Sequence, residues 1–215
     1  FAKAWGDIFT RNEEVVDFVC SGEGPYTVSA LLEALKAGKN DFDAVPDLWY
    51  REDSRFKNTT SAPLILDLNR EMPEPAWDLL PMHLYRTHNW HAFGLSGRAP
   101  FASIYTTLGC PYHCHFCCIQ APFKTGERAA GYKPAVNSYR FWGVENILLT
   151  IDHLVERYGI RHLKIADEMF VLNERHVIGV CDKIIERGYD FNIWAYARID
   201  TCKESMLGKL RQAGF

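Results

Sequence analysis

Three closely spaced cysteines constrain this chain more than any other feature. The segment 109–117 reads GCPYHCHFC and places Cys110, Cys114 and Cys117 in the pattern C-x3-C-x2-C. Three thiolates on one short loop can bind three of the four irons of a cubane iron–sulfur cluster, which leaves the fourth iron open to another molecule. The glycine of the motif permits a sharp turn, and its proline fixes one backbone dihedral. The sequence therefore predicts a cluster loop here.

Two other interpretations of these cysteines stay open at this point. A zinc site needs four nitrogen or sulfur ligands, and His113, His115 or Cys118 would supply the fourth. Zinc knuckles usually come in pairs, however, and the sequence has no second C-x2-C motif. A disulfide framework is less favoured, because the seven cysteines are an odd number and no segment resembles a signal peptide.

The stretch Ala102–Pro122, ASIYTTLGCPYHCHFCCIQAP, resembles the cluster loop of radical S-adenosylmethionine (SAM) enzymes. In that family the open iron chelates SAM, and one-electron reduction breaks a C–S bond to give a 5′-deoxyadenosyl radical that abstracts hydrogen from substrate. The resemblance implies that Cys110, Cys114 and Cys117 hold a [4Fe–4S] cluster and that Phe116 lies near the adenine of SAM. It also implies a small-molecule substrate and an electron donor such as flavodoxin or ferredoxin.

The N-terminal segment resembles the C-terminal end of the cobalamin-binding domain found upstream of many radical SAM cores. Residues 17–25, DFVCSGEGP, follow the pattern D-x-V-x-x-G-E-G-E, except that Pro25 stands where an acidic residue is usual. The resemblance implies that Gly22, Glu23 and Gly24 contact cobalamin, since a glycine turn lets the backbone approach a phosphate-bearing cofactor. The alternative is a tight surface turn. The histidine-ligand signature D-x-H-x-x-G is absent from the sequence.

A proline-rich segment separates this region from the cluster loop. Its prolines forbid long helices, and residues 75–81, PAWDLLP, are similar to the P-x-W-D-L-x-P linker of cobalamin-type radical SAM proteins. We therefore expect residues 1–60 to be the C-terminal part of a cobalamin-binding domain, 61–99 to be a linker, and 100–215 to be the N-terminal half of a radical SAM core.

From residue 100 the sequence alternates strands with amphipathic helices. The strand patterns are Phe101–Leu108, Arg161–Ala166 and Phe191–Ala197, and the helices are expected from Val144, from an Asn173 cap and from a capping box of Thr201 and Glu204. Such repeated βα units predict a parallel sheet with right-handed crossovers. The predicted fold class is α/β: the first three βα units of a partial radical SAM (β/α) barrel, preceded by the C-terminal part of a Rossmann-like cobalamin-binding domain.

Residues just after the predicted strands are further candidates, because ligands of parallel sheets lie at the carboxyl ends of strands. Radical SAM proteins often carry a G-G-E-like segment after the second strand, which binds the SAM amino group. Here Asp167 and Glu168 stand in that place, and the resemblance implies that their carboxylates complement the SAM ammonium. Arg198, after the third strand, would pair with the SAM carboxylate or a substrate anion. A solvated acidic loop and a structural salt bridge are the respective alternatives.

The composition is that of an ordinary globular protein, with 47% hydrophobic residues, 24% charged residues and a net charge of −3. No Lys/Arg cluster indicates nucleic-acid binding, and no apolar run approaches the roughly 20 residues of a membrane span. Thiols without a targeting segment favour the cytoplasm. The chain begins with Phe and stops just as a predicted helix finishes, so we expect a fragment of a longer protein.

Together these observations predict a cobalamin-dependent radical SAM enzyme. Methylation of carbon in an unknown small molecule would be the commonest outcome in such a family, and cyclisation or rearrangement would be others. A methylthiotransferase without cobalamin is the first alternative, although it would carry further cysteines in the N-terminal region, where only Cys20 lies. A non-catalytic binding module stabilised by zinc or by a cluster is the second.

Overall fold

The computed structural model describes residues 16–52, 55–92 and 97–215. The strands within these ranges are β1 (Phe18–Cys20), β2 (Leu48–Glu52), β3 (Arg55–Asn58), β4 (Phe101–Ile104), β5 (Thr107–Leu108), β6 (Arg140–Phe141), β7 (His162–Ile165) and β8 (Asn192–Ala195). The helices are α1 (Pro25–Lys36), α2 (Leu68–Glu71), α3 (Lys124–Ala129), α4 (Val144–Tyr158), α5 (Glu174–Arg187) and α6 (Glu204–Gln212). Short 3₁₀ turns occupy much of the remaining chain.

The chain divides into two compact units, and neither is continuous in sequence. The first combines the described residues up to 66 with Pro111–Ser138, and the second combines Asp67–Cys110 with Tyr139–Phe215. The cysteine motif therefore contributes its first cysteine to the second unit and its other two to the first. The predicted division at residues 60 and 99 stays a prediction.

The first unit contains an antiparallel sheet in the order β1-β2-β3. A strand, a helix and a second strand follow one another in this unit as β1, α1 and β2. Phe18 pairs with Tyr50, and Tyr50 pairs with Lys57 on β3, a strand that the sequence did not predict. All strand pairs of this sheet are antiparallel, so the parallel pairing typical of a Rossmann-like domain is not found among the described residues of this unit.

Helix α1 begins where the chain leaves a tight turn. Gly24 has φ of 102°, a conformation that favours glycine, and Pro25 follows at the first helical position. The helix buries Thr27 and Ala34. Three other apolar residues of the helix are half exposed, namely Val28, Leu32 and Leu35.

The second unit is built on a parallel sheet in the order β4-β7-β8, which confirms an α/β fold with a parallel sheet. Ala102, Leu163 and Ile193 share one register row and belong to a core that also contains the inner faces of α4 and α5. Side chains alternate between the two faces of a strand. The neighbouring row, Ser103, Lys164 and Trp194, therefore lies on the face away from that core.

The predicted strand 101–108 is interrupted, which corrects the sequence prediction. β4 ends at Ile104, and β5 starts at Thr107 and pairs antiparallel with β6. Between them the backbone N–H of Thr106 donates to the carboxylate of Asp167 at 2.6 Å. That amide is used by a side chain and not by the sheet ladder, which accounts for the break.

The two long helices begin and end where the sequence predicts. α4 ends at Gly159 with φ of 64°, and α5 ends at Gly188 with φ of 65°, both left-handed caps that favour glycine. Asn173 caps α5 by accepting a hydrogen bond from the backbone N–H of His176 at 3.1 Å.

The predicted capping box of α6 is wrong. The helix starts at Glu204 behind Lys203, with no side-chain cap, while the Thr201 hydroxyl donates to the carbonyl of Arg198 at 2.9 Å. Thr201 therefore closes the preceding turn and does not reach α6.

The proline-rich stretch has no long helix in its described part: α2 has 4 residues and the turns that follow have 3 each. This outcome matches the restriction expected from the prolines. Within the described ranges, every helix is too short or too polar to cross a bilayer.

Candidate cofactor site

The cysteine motif follows directly on β5. Cys110 is buried, and it is the last residue of Asp67–Cys110, the first of the two stretches that form the second unit. In the first unit Cys114 is partly buried, Cys117 is exposed, and the backbone N–H of Cys117 donates to the carbonyl of Cys114 at 3.1 Å. The two cysteines therefore lie on one tight turn, and neither they nor Cys110 form a disulfide.

The thiols of the motif suit an iron–sulfur cluster by their chemistry. Thiolate is the ligand such clusters use, and the three cysteines lie within one short stretch of sequence. Among the described residues, no three His, Cys, Asp or Glu side chains are already arranged to hold a metal ion. Convergence of the three thiols on one cluster therefore stays a prediction.

Phe116, which the sequence places near the adenine of SAM, is 94% exposed on the same turn. Cys118 is also exposed. The aromatic ring of Phe116 is therefore accessible to a ligand, and its contact with SAM stays a prediction.

The first unit contains a buried carboxylate on the helix that follows the cysteine turn in sequence. Glu127 on α3 is 1% exposed. Its Oε1 accepts hydrogen bonds from Gln120 Nε2 at 2.5 Å, from the Ser138 backbone N–H at 2.7 Å and from the Ser138 hydroxyl at 2.8 Å. Lys124 Nζ lies 2.8 Å from Oε2. Burial alone would raise the pKa of Glu127, but these contacts outweigh it and hold the pKa below its usual value.

A second buried carboxylate joins the ends of two strands in the second unit. Asp167 is fully buried, and it accepts hydrogen bonds from the Thr106 backbone N–H at 2.6 Å, the Thr106 hydroxyl at 2.5 Å and the Thr107 hydroxyl at 2.9 Å. Burial raises the pKa of Asp167, and the threonine hydrogen bonds oppose that rise without cancelling it. Asp167 is thus occupied by the residues that lead into the cysteine motif.

His176 extends this network from α5. Its Nε2 lies 3.0 Å from the Thr106 hydroxyl oxygen, and burial lowers the pKa of the ring from 6.5 to about 4. The unfolded chain therefore binds a proton that the folded chain excludes between these two values. Stability from this group is present above pH 6.5 and is lost as the pH falls towards 4.

We expect the free energy of unfolding to fall by about 2 kcal/mol between pH 7 and pH 5 through His176 alone. The His176→Gln chain keeps a donor for Thr106 but has no ring to protonate. Its free energy of unfolding should therefore fall by about 2 kcal/mol less than that of the parent chain between pH 7 and pH 5. Urea unfolding of both chains at the two pH values measures the difference. Equal pH dependence in the two chains would show that His176 does not carry this effect.

Glu168, next to Asp167, has an oxygen with nothing to bind. Its Oε2 is buried and has no hydrogen-bond partner among the described residues. Burial raises the pKa of Glu168, the charge of Asp167 acts in the same direction, and a hydrogen bond from the backbone of Gly109 acts against them. This carboxylate therefore lies beside the residue that precedes Cys110, with an acceptor left over.

Arg198 and its neighbours lie near the end of β8. The Arg198 guanidinium binds Asp200 through two hydrogen bonds of 2.9 and 2.6 Å; Arg198 is partly exposed and Asp200 is exposed. The structure thus contains the salt bridge that was the alternative to a ligand contact. Lys164 Nζ lies 4.8 Å from the ring centroid of Tyr196 and 5.1 Å from that of Trp194.

The GEG turn packs closely within the first unit. A Cβ on Gly22 would lie 2.3 Å from Asp47 Oδ2, so only glycine fits there without a shift. The Glu23 carboxylate accepts from the backbone N–H of Ile65 at 2.9 Å. These contacts give the turn a structural role, and its predicted contact with cobalamin is not tested by them.

An apolar cleft of about 490 Å³ lies in the second unit beside the edge strand β4. Its wall includes Met72, Trp77, Tyr105, Leu108 and Trp142. This volume is within the range of small-molecule sites in proteins.

Sequence reasoning missed Thr106, His176 and the group around Glu127. The pair Thr106-Thr107 directly before the motif was a usable signal, because threonine hydroxyls often bond to nearby polar groups. Glu127 gave no such signal, since its partners lie up to 11 residues away.

No protein-family model matches the chain. It is similar in sequence to an uncharacterized methyltransferase of Pyrococcus horikoshii, with 29% identity over 208 residues that cover 97% of this chain and 40% of that protein. It is also 26% identical over 194 residues to the anaerobic magnesium-protoporphyrin IX monomethyl ester cyclase of Synechocystis, covering 90% of this chain and 34% of the cyclase. The chain thus spans 40% or less of the length of these relatives.

Two solved structures share its fold. The radical SAM methyltransferase TsrM from Kitasatospora setae, with cobalamin and a [4Fe–4S] cluster bound, matches with a TM-score of 0.61 and 18% identity over 92% of this chain and 36% of that one. The cobalamin-dependent SAM radical enzyme OxsB, with aqua-cobalamin and SAM bound, matches with a TM-score of 0.60 and 22% identity over 96% of this chain and 27% of that one. The expected resemblance is therefore confirmed at the level of the fold: this chain shares the α/β fold of the cobalamin-bound radical SAM proteins TsrM and OxsB.

Proposed function

We propose that this chain is part of a radical SAM enzyme in which Cys110, Cys114 and Cys117 hold a [4Fe–4S] cluster. When bound, such a cluster supplies the electron that cleaves SAM to a 5′-deoxyadenosyl radical. Cobalamin-dependent methylation of a small molecule is the outcome that the methyltransferases among the relatives support, and the cyclase supports ring closure as another.

One observation carries the proposal beyond similarity of fold. Glu168 has a buried oxygen without a hydrogen-bond partner among the described residues, and it lies beside the residue that precedes Cys110. A buried acceptor left without a donor is costly, so it is suited to a donor brought by a ligand. The ammonium group of SAM is such a donor, and its bond to a carboxylate would be charge-assisted.

Other residues of the site have supporting roles in this proposal. Asp167 holds Thr106 and Thr107 in place ahead of the cysteines through three hydrogen bonds, and its contact with the SAM ammonium stays a prediction. Phe116 packs on the adenine, and Arg198 exchanges its bond with Asp200 for a carboxylate of SAM or substrate. Gly22, Glu23 and Gly24 form part of a cobalamin site.

The remaining parts of the proposal concern the whole protein. Residues 100–215 supply the first three βα units of a partial barrel, residues 61–99 are a linker, and residues 1–60 belong to the cobalamin-binding domain. A flavodoxin or ferredoxin delivers the electron, in the cytoplasm.

Electron paramagnetic resonance after anaerobic reconstitution with iron and sulfide tests this proposal. We expect a reduced [4Fe–4S] signal that shifts when SAM is added. Because Glu168 supplies one charge-assisted bond, the Glu168→Gln chain should bind SAM about tenfold or more weakly, as measured by titrating the shift. Glu156→Gln, an exposed carboxylate on α4, is the matched control and should behave as the parent chain does.

Two outcomes would contradict the proposal. Stoichiometric zinc with no cluster signal would leave a structural metal loop in place of an enzyme. A cluster signal that SAM does not change would show a cluster without an open iron, and so a module without this chemistry.

A further inference from the structure

We propose that Glu127 and Asn137 are positioning residues that brace the segment 112–120, which carries Cys114 and Cys117, before any cluster binds. The inference rests on the proposed function for its purpose. Its structural content concerns only contacts within the first unit. Neither residue belongs to the C-x3-C-x2-C motif, and the spacing of the cysteines does not predict a role for either of them.

The far end of the segment is held by the buried carboxylate. Gln120 donates through Nε2 to Glu127 Oε1 at 2.5 Å and to the Ser138 hydroxyl oxygen at 3.0 Å. Ser138 in turn donates to the same carboxylate oxygen through its backbone N–H and its hydroxyl. Three donors thus converge on one oxygen and fix where the chain leaves the cysteine turn.

The near end is held by the neighbouring residue. Asn137 Nδ2 donates to the backbone carbonyl of Tyr112 at 2.7 Å. Tyr112 is two residues before Cys114, and Gln120 is three residues after Cys117. Both ends of the cysteine-bearing segment are therefore fastened to adjacent residues, Asn137 and Ser138, of one later stretch of chain.

Helix α3, which carries Glu127, is itself held in the first unit and is linked to the residues before Asn137. The backbone N–H of Leu64 donates to the carbonyl of Gly126 at 3.3 Å, and a Cβ on Gly126 would lie only 3.1 Å from that nitrogen. Lys124 Nζ donates to the carbonyl of Val136 at 3.2 Å, which ties α3 to the residues before Asn137. The residues that hold the segment 112–120 are therefore themselves held, through Leu64 on one side and Val136 on the other.

Burial makes this arrangement more than a surface contact. An ionised carboxylate excluded from water is unfavourable unless donors or cations surround it, and Glu127 has three donors on Oε1 and the Lys124 ammonium 2.8 Å from Oε2. α3 has 6 residues, too few to be stable alone. Holding a ligand-bearing segment in one conformation in advance removes an entropy cost from binding. The brace therefore prepares the two thiols for a cluster.

Amide hydrogen exchange on the chain without metal tests the brace directly. Glu127→Ala and Asn137→Ala should speed exchange across 112–120 by about tenfold or more, the order expected when a buried charge-assisted or amide hydrogen bond is removed. Glu127→Gln keeps an acceptor for Ser138 but loses the charge, so its exchange should fall between that of the parent and Glu127→Ala. Arg128→Gln and Val136→Ala, exposed neighbours of the two sites, are the matched controls.

The second measurement follows iron loss to a chelator after reconstitution. Iron should leave the Glu127→Ala and Asn137→Ala chains about tenfold faster than the parent or the controls, in parallel with the exchange rates. Tyr50→Phe removes the partly buried hydrogen bond from Tyr50 on β2 to Asp43, a bond that involves no residue of 112–120, and serves as a stability control. It should leave both rates over 112–120 unchanged.

Three results would overturn the inference. Exchange over 112–120 that matches the controls would show that the segment is not braced, and unchanged iron loss would show that the brace does not serve the cluster. An equal effect of Tyr50→Phe would assign the changes to global unfolding. If the parent chain binds no iron at all, the proposed function fails, while the exchange measurement still decides whether the brace exists.

Discussion

The Cys114→Ala chain is expected to retain essentially no reconstituted iron. A cubane cluster in this motif has three protein ligands, so removing one leaves two thiols for four irons. The same loss is expected for Cys110→Ala and Cys117→Ala, whatever the differences in burial among the three side chains. Iron and sulfide analysis after anaerobic reconstitution, together with the visible absorption of the cluster, measures the effect.

Cys118→Ala is the matched control, because the residue adjoins Cys117 and is also exposed. It should bind as much iron as the parent chain. Full iron content in Cys114→Ala, or complete loss in Cys118→Ala, would show that the three-cysteine motif does not define the ligands.

The Asp167→Ala chain should lose about 3 kcal/mol or more of unfolding free energy, because buried donors are left without an acceptor. Thr106 and Thr107 are fully buried, and the alanine would leave one backbone N–H and two hydroxyls of these residues without their present partner. Asp167→Asn keeps the shape and one carbonyl oxygen, so it should fall between the parent and the alanine chain. Urea unfolding gives all three values.

Asp190→Ala provides the comparison, since Asp190 is exposed and its contact with Arg161 is 3.4 Å long. Its stability should stay within about 0.5 kcal/mol of the parent. If Asp167→Ala lost no more unfolding free energy than Asp190→Ala, the buried hydrogen bonds of Asp167 would contribute little beyond the contact of a surface carboxylate.

The parts of the fold that the sequence predicted are those with local causes. α4 and α5 are recognisable from helical spacing, the Asn173 cap and the glycines that end them, all within a few residues of one another. The parallel sheet of the second unit follows from the alternation of such helices with short apolar strands. The cysteine motif is equally local, and it carried the family resemblance.

The parts that were missed depend on residues far apart in sequence. The break after Ile104 exists because Thr106 meets Asp167, 61 residues later. Asp167 follows the second strand, where a ligand contact is expected. Only the fold shows that its carboxylate is buried and hydrogen-bonded to Thr106 and Thr107. Thr201 and Glu204 have the spacing of a capping box, yet the hydroxyl found a nearer carbonyl. Spacing alone does not reveal whether a threonine hydroxyl will accept from an amide of the following helix or donate to a carbonyl of the preceding turn.

The contact between Thr106 and His176 fixes where the ring carries its proton. The single hydroxyl hydrogen of Thr106 points to Asp167, so its oxygen can only accept from His176. The neutral ring must then be the Nε2–H tautomer, with Nδ1 as the acceptor. Hydrogen bonds in the row run one way, from imidazole to hydroxyl to carboxylate. The hydrogen bonds from His176 through Thr106 to Asp167 therefore have one direction, and reversing them would require the protons of the imidazole and of the hydroxyl to move.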